Sequence, residues 1–207
     1  MNVLVRAALA ALAVAAMLAC SATSAAAPTD EQPIDVLRTR IAAGLAVLTD
    51  PAYADPARHA EQQTRLCEIA NELFDIHTFS RLVLMAGWNR MAADEQNEFV
   101  SVFGEFLCRY YLSPLQKHYA NEQITFADQE FRSKTRALVT ASVVWRNTEI
   151  PFEVRMVYRE GRWRAFDIAV SGVSAVLVYR VQFQPLLLNN TPRALIDNLR
   201  QRIAEQS

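Results

Sequence analysis

Apolar residues recur every third or fourth position through the first half of the chain, then every second position, then every third or fourth again. Ile34, Leu37, Ile41, Leu45 and Leu48 are spaced three, four, four and three apart, the repeat that lines one face of a helix. Pro33 suits a first turn, so a helix is predicted over residues 33–48. Asp50-Pro51 and Asp55-Pro56 mark a loop. A second helix is predicted over about 57–73, with Leu66, Ile69, Ala70 and Leu73 on one face. Asp75 can cap a short third helix carrying Ile76, Phe79, Leu82 and Val83, which stops at Gly87-Trp88. The longest helix is predicted over 94–118. Phe99, Val102, Phe103, Phe106, Tyr110 and Tyr111 give it a broad aromatic stripe, and a kink is expected at Ser113-Pro114. Ordinary core packing would account for such a stripe.

From Gln123 the period is two. Ile124 and Phe126 begin one strand. Val139, Ala141, Val143 and Trp145 form one face of a second, and Phe152, Val154, Met156 and Tyr158 one face of a third. Asn147-Thr148 and Glu160-Gly161 are turn signals. Trp163 to Ile168 makes a fourth strand, which breaks at Ser171-Gly172. The chain resumes as an apolar helix whose only charge is Arg180, with Val173, Val176, Leu177, Val181 and Gln184 at helical spacing. Ser171 or Ser174 can cap its start. A helix apolar on most sides must be covered by a core, a partner or a lipid-filled cavity. Thr191 caps a last helix with Pro192 in its first turn and Leu195, Ile196, Leu199 and Ile203 on its apolar face. Helices, then about four antiparallel strands, then two helices define an α+β domain.

Residues 1–27 read as a secretory signal peptide. Arg6 precedes a short apolar run, and Ala25-Ala26-Ala27 offers a cleavage site. The alternative exit is Cys20, in an imperfect lipoprotein box. Residues 28–207 then form a single domain. Loss of Arg6 leaves 20 Lys+Arg, one fewer than 21, against 22 Asp+Glu, a net charge of −2. That balance argues against nucleic acid as a partner and against a polybasic membrane anchor. Cys67 and Cys108 are either one disulfide between two helices or two buried thiols.

Catalytic patterns are scarce. His59, His77 and His118 have no companions at metal-ligand spacing, and no Gly-rich nucleotide loop is present, so neither a metal nor a cofactor is expected. Ser174 reads as a first-turn residue rather than a nucleophile. Asp167 alone supports an enzyme, as a general base in a cone-shaped α+β pocket acting on a small molecule. Otherwise it pairs with an arginine such as Arg164 or Arg180, or caps the following turn. Arg180 could instead meet a phosphate at a cavity mouth.

Trp163-x-x-Phe166-Asp167-Ile168-x-Val170-x-Gly172-Val173-Ser174, then Tyr179-Arg180 and Gln182-Phe183, resembles the signature of the MlaC family of periplasmic phospholipid-binding proteins, also called toluene-tolerance auxiliary proteins. Phe74-Asp75-Ile76, Leu84-x-x-Gly87-Trp88, Glu95-Gln96-x-x-Phe99, Phe103-x-x-Phe106-Leu107 and Tyr110-Tyr111 follow its pattern in the same order. The resemblance implies helices packed on a highly curved antiparallel sheet that encloses an apolar cavity. It also implies a soluble periplasmic carrier, not an enzyme, with phospholipid as its cargo. Its partners would be an inner-membrane Mla-type ABC transporter complex and an outer-membrane lipoprotein–porin complex, in a pathway that maintains outer-membrane lipid asymmetry. On this reading Val139, Ala141, Val143, Phe152, Val154, Met156 and Tyr158 supply the sheet wall of the cavity, and Phe103, Phe106, Val176 and Tyr179 face them from the helices.

Overall fold

The computed structural model describes residues 31–205; the signal-peptide reading and Cys20 lie outside them. Six helices and one sheet follow in order: α1 (Pro33–Thr49), α2 (His59–Leu73), α3 (Ile76–Leu84), α4 (Ala93–His118), β1 (Gln123–Ser133), β2 (Arg136–Trp145), β3 (Thr148–Arg159), β4 (Arg162–Val170), β5 (Val173–Ser174), α5 (Ala175–Asn189) and α6 (Pro192–Ala204). Caps set several of these starts. The Asp75 side chain accepts from Thr78 N, Ser174 from Leu177 N and Thr191 from Ala194 N, each satisfying an otherwise orphaned helix N–H. α4 runs through Pro114 without ending, and α5 through Pro185.

The sheet is an open antiparallel meander in the order β1-β2-β3-β4-β5. Two-residue turns join β2 to β3, β3 to β4 and β4 to β5. Their central residues, Arg146-Asn147, Glu160-Gly161 and Ser171-Gly172, all have positive φ, the twist that matches flanking strands in a tight hairpin. Gly172, at φ +81°, adopts a backbone conformation in which a Cβ would be strained. The two-residue β5 extends the four strands read from the sequence. Register slips in β1 and β4; in β4, Arg155 faces Asp167 and Met156 faces Ala165, leaving Phe166 as an extra residue. Such bulges bend a strand and sharpen its twist.

Two apolar clusters result. In the first, α1 lies on one face of the sheet, and Val36 and Leu37 pack with Val139, Val154, Met156 and Trp163. The second is made of helices alone. Phe79 of α3, Phe99, Phe103 and Phe106 of α4, Tyr179 and Phe183 of α5, and Ile196 and Leu199 of α6 pack there with almost no exposure. Five of these rings contact Phe103, with centroids 5.1–6.4 Å away, within the range in which aromatic pairs attract. The two clusters meet at the α2–α3 junction, where Asp75 N donates to Ala165 O of β4 at 2.7 Å.

α5 departs from expectation. It buries Val176, Tyr179, Phe183 and Leu187 on one face, but leaves Leu177, Val181 and Leu188 exposed on the other. Only one side of this apolar helix is covered.

Candidate functional site

Cross-strand pairing puts the inward side chains of the sheet in rows: Val139 opposite Val154, Ala141 opposite Phe152, Ala137 opposite Met156. The rows nearest Trp163 are closed by α1 and are fully packed. At the other end, past Ala141 and Phe152, the helices stand away from the sheet and leave an apolar cavity of about 670 Å³. Ile41, Leu45 and Leu48 of α1 form one side, and Leu66, Ile69 and Leu73 of α2 the roof. Tyr111, Leu112 and Leu115 of α4 close the third side. The sheet contributes Ile124, Val143, Trp145, Ile150 and Val170.

The rim is mixed. Tyr111, Leu115, Trp145 and Val170 are each between 41 and 52% exposed, so apolar surface continues from the interior to solvent. Arg146 stacks its guanidinium over the Trp145 ring, 4.5 Å from the centroid. Arg40, His118, Tyr119 and Glu122 supply polar groups. Arg40 is engaged by Glu72, and Glu122 accepts from Ala120 N at 2.9 Å. Burial, and next the neighbouring Glu122 carboxylate, push the Tyr119 phenol above its ordinary pKa.

The residues named for the cavity from sequence divide. Val139, Ala141, Val143, Phe152, Val154, Met156 and Tyr158 share the sheet cluster, as one face of one sheet should. Only Val143 among them borders the open cavity. Phe103, Phe106, Val176 and Tyr179 are not opposite the sheet; they belong to the helical cluster. Tyr179 alone reaches towards the cavity, through a hydrogen bond of 3.1 Å to the Tyr111 hydroxyl. The helical wall is built from the apolar faces of α1 and α2 and from the C-terminal half of α4. Periodicity marked those faces as buried but carried no signal of what they face.

Asp167 is buried and wholly engaged. Its carboxylate accepts from Arg155 Nη1 at 2.6 Å, Ser174 Oγ at 2.7 Å and Val176 N at 3.0 Å. It ties β3 and β4 to the start of α5, and it does not line the cavity. Its arginine is Arg155, not Arg164 or Arg180. Arg180 neither neutralises Asp167 nor stands at the mouth; its Nε and Nη2 donate to Leu82 O at 3.2 and 2.7 Å, holding α5 against the end of α3. Cys67 and Cys108 form a disulfide. Among the described residues no group of three His, Cys, Asp or Glu side chains is arranged to hold a metal ion, and no helix is long and apolar enough to cross a membrane.

Fold and site together define an α+β protein with an apolar pocket between its helices and an open antiparallel sheet. The chain belongs to the MlaC family, whose model, described as MlaC protein, matches residues 39–201. Its fold is similar to that of a phospholipid-binding protein from Ralstonia solanacearum, solved in complex with a phospholipid. The TM-score is 0.73 at 18% identity, covering 85% of this chain and 99% of that one. Among curated proteins none matches the chain.

Proposed function

We propose that this protein is a periplasmic carrier that binds phospholipid by its acyl chains and shuttles it between inner- and outer-membrane complexes of the Mla type. The observation that carries this reading is the apolar cavity of about 670 Å³, in a chain of the MlaC family whose fold is shared by a phospholipid-bound protein. Ligand pockets commonly span ~300–1,000 Å³. A methylene is about the size of a water, whose share of liquid volume is ~30 Å³, so the cavity accommodates on the order of 20 methylenes. Removing that many from water contributes roughly 16 kcal/mol gross at ~0.8 kcal/mol each. Lipid would not leave such a site for water; it moves only to a surface that is equally apolar.

The partly exposed rim of Tyr111, Leu115, Trp145 and Val170 suits such a transfer, since a chain can pass along it without crossing bare water. The polar head stays outside, near His118 and Tyr119. The enzyme alternative rested on Asp167, and that carboxylate is committed to Arg155, Ser174 and the α5 backbone. The protein purified under native conditions should carry phospholipid detectable by native mass spectrometry and by lipid extraction. A delipidated sample should accept it from liposomes. A protein that arrives empty and stays empty in the presence of liposomes would overturn the proposal.

A further inference from the structure

The apolar cavity adjoins a polar notch. His118, Glu122 and Trp145 line the cavity and also a second space, of about 620 Å³, to which Asn121, Arg146 and Asn147 contribute. Two chain reversals build it. α4 ends at His118 and the chain reaches β1 through Asn121 at φ 61°, while β2 turns into β3 through Arg146 and Asn147 at φ 49° and 62°. Gln123 pairs with Val144, so the reversals lie side by side at the end of the sheet where the cavity opens. Continuing that register brings Glu122 beside Trp145, one residue short of Arg146.

Two opposite charges line this notch without pairing with each other. The Arg146 guanidinium lies over the Trp145 ring, and no carboxylate engages it among the described residues. A guanidinium held over an indole keeps its N–H edge free, and that planar fork matches the oxygens of a phosphate. Glu122 accepts from Ala120 N at 2.9 Å and has no lysine or arginine partner among the described residues. Its charge acts on its surroundings, adding to burial in raising the Tyr119 phenol. Arg40 and Arg155, by contrast, are each committed to a carboxylate, Glu72 and Asp167.

We infer that this notch seats the headgroup of a zwitterionic phospholipid, with the N–H edge of Arg146 against the phosphodiester and the Glu122 carboxylate against the ammonium group. The inference rests on the carrier reading and adds the class of cargo to it. With hydrocarbon in the cavity, the polar end of the lipid emerges past Trp145, between the two charges. An anionic headgroup would satisfy Arg146 but meet an unanswered carboxylate at Glu122. A lipid without phosphate would satisfy neither. The notch is open to solvent, so each contact is a solvent-exposed ion pair and its effect is modest.

The test loads delipidated protein from vesicles of phosphatidylethanolamine and phosphatidylglycerol in equal parts, with a minor fraction of diacylglycerol, all carrying the same acyl chains. Bound lipid is extracted and counted by mass spectrometry against the vesicle composition. Wild type should favour phosphatidylethanolamine over phosphatidylglycerol, and phospholipid over diacylglycerol, by about threefold each, the order expected of one exposed ion pair. Arg146→Asn, which suits the positive φ of this turn, should lower the phospholipid-to-diacylglycerol ratio by that factor, and Arg146→Lys should keep most of it. Glu122→Gln should abolish the preference for phosphatidylethanolamine while phospholipid stays ahead of diacylglycerol. Arg162→Ala and Asp94→Asn remove the same charges at the opposite end of the sheet and at the start of α4, and should leave both ratios unchanged. Wild-type ratios in either Arg146→Asn or Glu122→Gln, or equal shifts in the two distant variants, overturn the inference while the carrier reading stands. A wild-type protein that takes up none of the three lipids overturns both.

Discussion

The Tyr179 hydroxyl donates a hydrogen bond of 3.1 Å to the Tyr111 hydroxyl, joining a buried ring of the helical core to the exposed rim of the cavity. Burial comes first, and then the bond to Tyr111, in pushing the Tyr179 phenol far above its ordinary pKa. Tyr179→Phe should lower stability by about 1 kcal/mol, the net value of one hydrogen bond, as read by denaturant unfolding. The pH dependence has a definite sign. Because the folded-state pKa is raised, the contribution is complete below the unfolded value of about 10 and is lost as pH climbs above it. The alkaline loss of stability should be shallower in Tyr179→Phe.

At the acid end Asp75 behaves in the opposite sense. Burial disfavours its charge, but the hydrogen bonds from the Thr78 hydroxyl and backbone, together with Arg164 and Arg159, outweigh it and lower the pKa. Asp75→Ala should destabilise the protein by roughly 1–2 kcal/mol at neutral pH through loss of the α3 cap. The contribution of a depressed carboxyl is present above its unfolded pKa and lost as pH falls through the folded one. The gap between wild type and variant should therefore be constant above about pH 4 and shrink below it. Unfolding curves across the acid range measure this directly.

Much of the element order was legible because its causes are local. Asp75, Ser174 and Thr191 cap the helices where side-chain chemistry says they should, and two-residue periodicity placed Val139, Val154 and their neighbours on one face. What periodicity omits is the identity of the facing element. Phe103 and Leu112 are both apolar residues on α4, yet one lies in the helical core and the other walls the cavity, because the cavity opens beside only the C-terminal half of that helix. The extra residue at Phe166 is a second gap. It brings Asp167 opposite Arg155, a pairing that strict alternation along β4 does not reveal. Arg180 was misplaced for a related reason, since a lone charge on an apolar helix can reach a backbone carbonyl, here that of Leu82, as readily as a carboxylate.

Asp167→Asn tests whether that carboxylate has a structural task alone. Arg155 is half-exposed and can regain water when the charge is removed, whereas the Asn side chain can still accept from Val176 N. A loss of about 1.5–3 kcal/mol is expected, the range for a hydrogen bond to a charged group. Lipid uptake per folded molecule should match wild type. Loss of uptake with the fold intact, seen by near-UV circular dichroism, would return Asp167 to the functional site.

The Cys67–Cys108 disulfide, which joins α2 to α4, should contribute to stability. Cys67 and Cys108 are 41 residues apart, and closing a loop of that length in the unfolded chain is worth about 4 kcal/mol in the chain-entropy account. The Cys67→Ser/Cys108→Ser variant should melt well below the oxidised protein, and dithiothreitol should lower the wild-type midpoint while leaving that of the variant unchanged. Equal midpoints for oxidised and reduced wild type would overturn this prediction, since the loop-closure contribution acts on the unfolded chain.

Val143 and Val154 lie on the same face of the sheet but in different surroundings, so the same substitution should affect them differently. Val143 borders the open cavity. A tryptophan there can extend into existing space, so Val143→Trp should fold with little loss of stability while excluding hydrocarbon. Val154 is buried between Val139 and Ile168 of the neighbouring strands and does not line the cavity. Val154→Trp must displace its neighbours, and overpacking of this kind costs about 1–3 kcal/mol or more. Measured together, lipid uptake should fall in Val143→Trp at near wild-type stability, whereas Val154→Trp should lose stability first. A Val143→Trp protein that loads phospholipid as wild type does would place the cargo somewhere other than the space between α1, α2, α4 and the sheet.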